Sequence, residues 1–211
     1  MGTVGQPGTP ALTFKSIKRH THTSTVNLTR LPQSVEGTRR AGSKITKVPI
    51  RIKNEQGELL AAAIPKVTIV KHARYLPEDH SGDPAAEVDI LARIEKSLSE
   101  SPLAGFVAEG VAPFGSMSNS VDAALRRATL SGMAVVKVGR GNAEGPVDPT
   151  RVPLCIAGSN LTATKARLLL MACLMKFGSL PPAADPERPT PAELEAVKSK
   201  LAEYQTVFDT H

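Results

Sequence analysis

The sequence predicts an α/β fold: a small three-layer domain with a four-stranded parallel sheet, of the flavodoxin or Rossmann kind, preceded by a loop and a β-hairpin segment. Two observations predict it. From Pro65 onward, short β-branched runs alternate with stretches of helical period. The stretches between runs are also long enough to serve as crossovers between parallel strands.

Each element can be justified in order. Residues 1–30 are rich in Thr, Ser, Gly and Pro, lack a helical period and read as a loop, with only a weak strand signal near Thr25–Leu28. Residues 31–64 read as a hinge and hairpin. Val48–Lys53 alternates, Asn54–Gly57 supplies a turn, and Leu59–Ile64 is the expected second strand. Residues 65–211 form the expected α/β unit. Val67–Val70 is its first strand. Ala85–Glu100 is a helix with Val88, Leu91, Ile94 and Leu98 on one face and Asp89, Arg93 and Glu100 away from it. Gly105–Val111 is the second strand. Asn119–Ser131 is a helix capped by Ser118 or Asn119 and ended by Gly132. Met133–Val138 and Pro153–Ala157 complete the strands. Ala163–Phe177 is apolar from Leu168 to Met175, so burial on most sides is expected. After a Pro-rich linker at Leu180–Pro191, the last helix is signalled by Thr190, Pro191 and Glu193 in a capping box.

Charge and composition exclude several function classes. The formal charge of +6 is unevenly placed: residues 1–60 hold ten basic and three acidic side chains, the rest sixteen and seventeen. A uniformly basic nucleic-acid-binding domain is therefore disfavoured, and with no Trp, two Tyr and five Phe there are few aromatic platforms for bases. No window approaches the roughly 18–20 apolar residues of a membrane span. The opening MGTVGQPGTPALTFKS has no apolar signal core, so a cytoplasmic setting is the expectation. Cys155 and Cys173 lie in apolar runs and read as small core hydrophobes, not a disulfide or metal pair.

Candidate sites are few. His20 and His22 lie close together in a loop, but no Cys or third His is near in sequence, so a solvated loop outweighs a metal site. Lys18, Arg19 and His20 form a basic cluster that could meet an anion, though a plain basic loop is the simpler reading. Neither Gly139-Arg140-Gly141-Asn142 nor Gly110–Gly115 is a dinucleotide fingerprint, and no P-loop is present. In a parallel sheet, ligands meet the loops after the strand carboxyl ends. Those loops are His72–His80, Val111–Ser120, Gly139–Gly145 and Gly158–Thr162. Gly115-Ser116-Met117-Ser118-Asn119-Ser120 is the best contact candidate, weighed equally against a plain helix cap. A serine nucleophile would need a positioned base, which the sequence alone does not identify.

Four segments in this order, Pro65–Val70, GFVAEGVAPFGS, AALRRATLSGMAVVKVGRGNAEG and IAGSNLTATKARLLLMACL, resemble the C-terminal domain of the asparaginase/glutaminase family. Leu161, Lys165, Ala166 and Arg167 match that family's L-x-P-x-K-A-R helix. Ala124, Leu125, Ala128, Gly132, Val135, Val136, Arg140 and Gly145 match its helix, strand and S-R-x-x-x-G loop. The resemblance is good over 65–178 and weaker over 14–64, where Thr21-His22-Thr23-Ser24 resembles the K-T-x-T stretch.

The resemblance implies an amidohydrolase that converts asparagine to aspartate and ammonia with no cofactor, at a site built between subunits. Asparagine or a related small amide and a second copy or partner chain are thus the implied partners; nucleic acid and membrane are not. The family's nucleophile motif T-G-G-T-I and its T-D pair are absent from the 211 residues. Its catalytic Lys position falls at His20, with Lys18 two positions earlier. The asparagine that reaches a neighbouring subunit's substrate falls at Ser116, with Asn119 nearby. The expectation is therefore a chain without turnover of its own. The alternative is a non-catalytic family member used for dimerisation or for binding a small amino-acid ligand.

Overall fold

The computed structural model describes residues 26–72, 82–111, 115–140 and 147–211. It is an α/β structure with a four-stranded parallel sheet and a separate antiparallel hairpin, as the sequence predicts. The hairpin joins β1 (Ser34–Ala41) to β2 (Lys44–Arg51). Its turn is at Gly42-Ser43, eleven residues before the Asn54–Gly57 turn expected to make the hairpin. That later turn exists, but Lys53 and Leu59 share only an isolated bridge and Ala61–Ala63 coil into a 3-10 turn. The reason is local. Gly42 sits at φ +61, which lets a tight turn close β1 onto β2, whereas Leu59–Ile64 lacks alternation over enough length to pair.

In β1 the outward edge is used: the Thr38 amide donates to the Pro102 carbonyl, and the Glu36 carbonyl accepts from the Ser179 amide. By the register of the pair, the outward-facing residues of β2 are Ile45, Lys47, Pro49 and Arg51. The other long edge thus carries a proline and two cations, which blunts it against further strand pairing.

The main sheet runs β3 (Lys66–Lys71), β4 (Ala104–Gly110), β5 (Ala134–Gly139) and β6 (Ile156–Ala157) in sequential order. The fourth strand is two residues long, shorter than the expected Pro153–Ala157, because Leu154 adopts φ +58 and breaks the extended run. In its place α4 supplies an edge. The Ala157 amide donates to Gln205 Oε1 at 2.8 Å, and Gln205 Nε2 donates to the Ala157 carbonyl at 3.2 Å.

Helices α1 (Val88–Glu100) and α2 (Asn119–Leu130) cover one face of the sheet; α3 (Ala163–Phe177) and α4 (Pro191–Thr210) cover the other. Alternation in β5 explains the division: Val135 faces α1 and α2, while Ala134, Val136 and Val138 face α3 and α4. Two helical faces differ from expectation. In α1 the buried stripe is Ile90, Ile94 and Leu98, while Val88, the first helical residue, is 71% exposed. In α3, only Ala163, Ala166, Leu170, Cys173 and Leu174 are buried, and Leu168 is 63% exposed. One sheet face and α4 cover one stripe of that helix; the opposite stripe packs at Met175 against the Ile52, Ala63 and Leu103 cluster and is exposed at Leu168.

The caps follow the sequence closely. Ser118, not Asn119, caps α2 by accepting from the Val121 amide. At its other end the Gly132 amide donates to Thr129 and the Met133 amide to Ala128, with Gly132 at φ +95, the paired bonds of a Schellman ending. Thr190 and Glu193 form the expected capping box of α4. The Glu193 carboxyl is held below its usual range by amide donors from Ala184 and Thr190 and by the Thr190 hydroxyl.

Candidate functional site

The hairpin packs against the turns at Pro102, Gly132 and Ser179, all at the amino-terminal side of the sheet. The carboxyl-terminal edge is left to loops. The connection after β4 leads to α2 on one face, and the connection after β6 leads to α3 on the other. They part above β5, the kind of place where ligands meet open parallel sheets.

The residue that stands out there is Lys137, in the middle of β5. Its side chain is 9% exposed and its Nζ lies 2.5 Å from Oδ1 of Asp122, in the first turn of α2. An ammonium this deeply buried needs a partner, and the helix register places Asp122 to provide it. Beside the pair, Cys155 is half-buried. Burial pushes its thiol up to about 12, with Lys137 opposing the rise and Asp122 adding to it. Cys173 is fully buried and its thiol is pushed up to about 12 by burial alone. Both cysteines behave as core groups, as the sequence suggests.

A second cluster lies at the start of α2. The Ser118 and Ser120 hydroxyls are 3.1 Å apart, and Ser120 donates to Glu87 Oε1 at 2.8 Å. Ser120 is 1% exposed, so it cannot meet a substrate carbonyl as a nucleophile. A third group ties strand ends together. Arg140, after β5, donates to the His72 carbonyl at 2.6 Å and approaches Glu109 at 3.4 Å, and Lys71 lies 4.0 Å from the same carboxylate.

The predicted contact residues fall at this edge. Ser116 is exposed, and its backbone exchanges two hydrogen bonds with Val111 at 2.9 and 3.2 Å. Asn119 is exposed and is the first residue of α2. Lys18, Arg19, His20 and His22 lie outside the described residues, as do 73–80, 112–114 and 141–145 of the expected loops. Among the described residues no cluster of His, Cys, Asp or Glu could hold a metal ion, and no helix is long and apolar enough to cross a membrane.

Lys137 and Asp122 were missed in reading the sequence for sites. A signal was available: one lysine interrupts an otherwise apolar strand, Ala134–Gly139, and a buried strand tolerates a cation only with a partner. The residues that carry the family resemblance have other duties. Leu161 and Ala166 are core, Lys165 is exposed, and Arg167 donates its Nε–H to the Val67 carbonyl at 2.9 Å, on edge strand β3.

The fold and this edge define the class: a parallel α/β unit whose polar groups gather above the carboxyl ends of β3–β5. No protein-family profile matches the chain, and no curated protein matches it. Among solved structures, the chain is similar to a probable cytoplasmic L-asparaginase from Campylobacter jejuni, at 26% identity and a TM-score of 0.39. The match covers 64% of this chain and 35% of that one, so this chain spans about a third of that protein's length.

Proposed function

We propose that the chain is the C-terminal α/β part of an asparaginase/glutaminase-like amidohydrolase, and that alone it turns over no amide. The observation that carries the reading is the ordered set of matching segments over 65–178, with Ser116 and Asn119 exposed at the carboxyl edge where that part would meet a substrate. Nucleophilic hydrolysis needs a nucleophile, its base and an oxyanion donor in one geometry. The 211 residues lack the T-G-G-T-I and T-D motifs, and at the carboxyl edge the buried Ser120 is already bonded to Glu87. In this reading Ser116 and Asn119 close over an amide held by residues from another segment or chain, and His20 occupies the place of the family lysine. No cofactor is needed.

The alternative is a non-catalytic member kept for dimerisation or for binding a small amino-acid ligand. It is favoured by the engagement of the edge's charged groups with one another: Lys137 with Asp122, and Arg140 with Glu109. Ammonia release from L-asparagine and L-glutamine separates the outcomes. Restoration of hydrolysis on mixing with a protein that carries the missing motifs supports the first reading. Binding without hydrolysis under every such mixture supports the second.

A further inference from the structure

At the amino-terminal side of the sheet, far from the edge just described, lies a cleft of about 310 Å³. The helix α2 separates the two: its 12 residues span about 18 Å. Three parts of the chain wall the cleft: Arg40, Ser43 and Ile45 of the hairpin, Arg127 and Ser131 at the end of α2, and Asp185 of the linker before α4.

Each arginine spends one nitrogen on a carboxylate. Arg40 Nη2 lies 2.7 Å from Glu95, and Arg127 Nη1 lies 2.8 Å from Glu187. A guanidinium has five N–H donors, so most remain. One is conspicuous: the Nε of Arg40 is the buried side-chain polar atom left without a hydrogen-bond partner among the described residues. A buried donor without an acceptor is costly and calls for an explanation. Its burial puts it out of reach of the cleft, so a ligand there would meet the Nη donors of the two arginines instead.

Charge narrows the ligand. Two guanidinia favour a carboxylate, but Asp185 on the same wall repels a simple anion and favours a cation. A molecule with both signs satisfies both. Ile45 adds a small apolar surface, and the volume is at the low end for small-molecule sites. We propose that this cleft binds a small zwitterionic α-amino acid, its carboxylate on Arg40 and Arg127 and its ammonium toward Asp185. The site is independent of the amidohydrolase reading, since it shares no residue with the carboxyl edge.

The test uses the full chain and three matched probes: L-alanine, propionate, which lacks the ammonium, and ethylamine, which lacks the carboxylate. Nitrogen–proton correlation spectra follow the Ser43, Ser131 and Ala184 amides. L-alanine is expected to shift them saturably by about 10 mM, with both half-probes about tenfold weaker or more. R40Q and R127Q are expected to abolish the shifts. D185N changes an exposed side chain and so retains the fold; it is expected to weaken L-alanine and to strengthen propionate, since the carboxylate that repels it is gone, until the two bind alike. The proposal is overturned if L-alanine causes no saturable shift, if propionate binds as well as L-alanine, or if binding survives both arginine substitutions. Should an arginine variant fail to fold, D185N decides: unchanged L-alanine binding overturns the assignment.

Discussion

Replacing Asp122 with Asn leaves the ammonium of Lys137 in β5 with no carboxylate. The cost can be bracketed. An exposed ion pair contributes about 0–1 kcal/mol, whereas removing one partner of a buried pair costs about 3–5 kcal/mol. This pair lies between those limits, because Lys137 is 9% exposed and Asp122 is 45% exposed. About 2 kcal/mol is therefore expected for D122N, which lowers the melting midpoint by about 4–8 °C in a chain of this size. The complementary K137M leaves the half-exposed carboxylate to water and fills an apolar strand position, so it should cost less. The double variant D122N/K137M should recover most of the D122N loss, since neither buried charge nor unmet donor remains in β5. Thermal unfolding by circular dichroism on the four proteins makes the cycle. If D122N melts within about 1 °C of the parent, or the two losses simply add, Lys137 does not depend on Asp122.

Three further outcomes follow from other parts of the fold. Gly178 ends α3 at φ +79, and a Cβ there would lie 2.4 Å from the Glu36 carbonyl oxygen of β1, so G178A should destabilise by about 1–3 kcal/mol from backbone strain alone, measured by urea unfolding. Both thiols are pushed up to about 12, so Ellman's reagent at neutral pH should leave the fully buried Cys173 unlabelled and label the half-buried Cys155 only slowly in the native chain, and label both in denaturant; rapid native labelling of Cys173 would contradict its burial. Tyr204 is fully buried, donates its hydroxyl to the Gly178 carbonyl, and is held well above its usual 10 chiefly by burial. Its folded form thus keeps a proton that the unfolded form loses, so stability should fall as pH rises above about 10. In a Y75F background, phenolate absorbance should appear only with unfolding.

How much of this could be read from the sequence depended on whether a signal was local. The Thr190–Glu193 box, the Ser118 cap and the Gly132 ending are set by neighbours within five residues, and all appeared where expected. The helix-face assignments needed tertiary knowledge. The sequence cannot show that α3 is left uncovered at Leu168, or that Val88, the first residue of α1, points to solvent. The hairpin's place is not legible in the sequence because two turns compete, and the one whose flanks pair over eight residues wins over Asn54–Gly57. At the carboxyl edge the loops were found by topology, and Ser116 and Asn119 with them. The Lys137–Asp122 pair was not, since its members are 15 residues apart and meet only after β5 and α2 pack.

The most direct test of the central claim is ammonia release by the purified 211-residue chain supplied with L-asparagine or L-glutamine. No release above the blank is expected, because on the proposed reading these residues close over a substrate held elsewhere and the 211 residues lack the T-G-G-T-I and T-D motifs. Sustained turnover by this chain alone would contradict it.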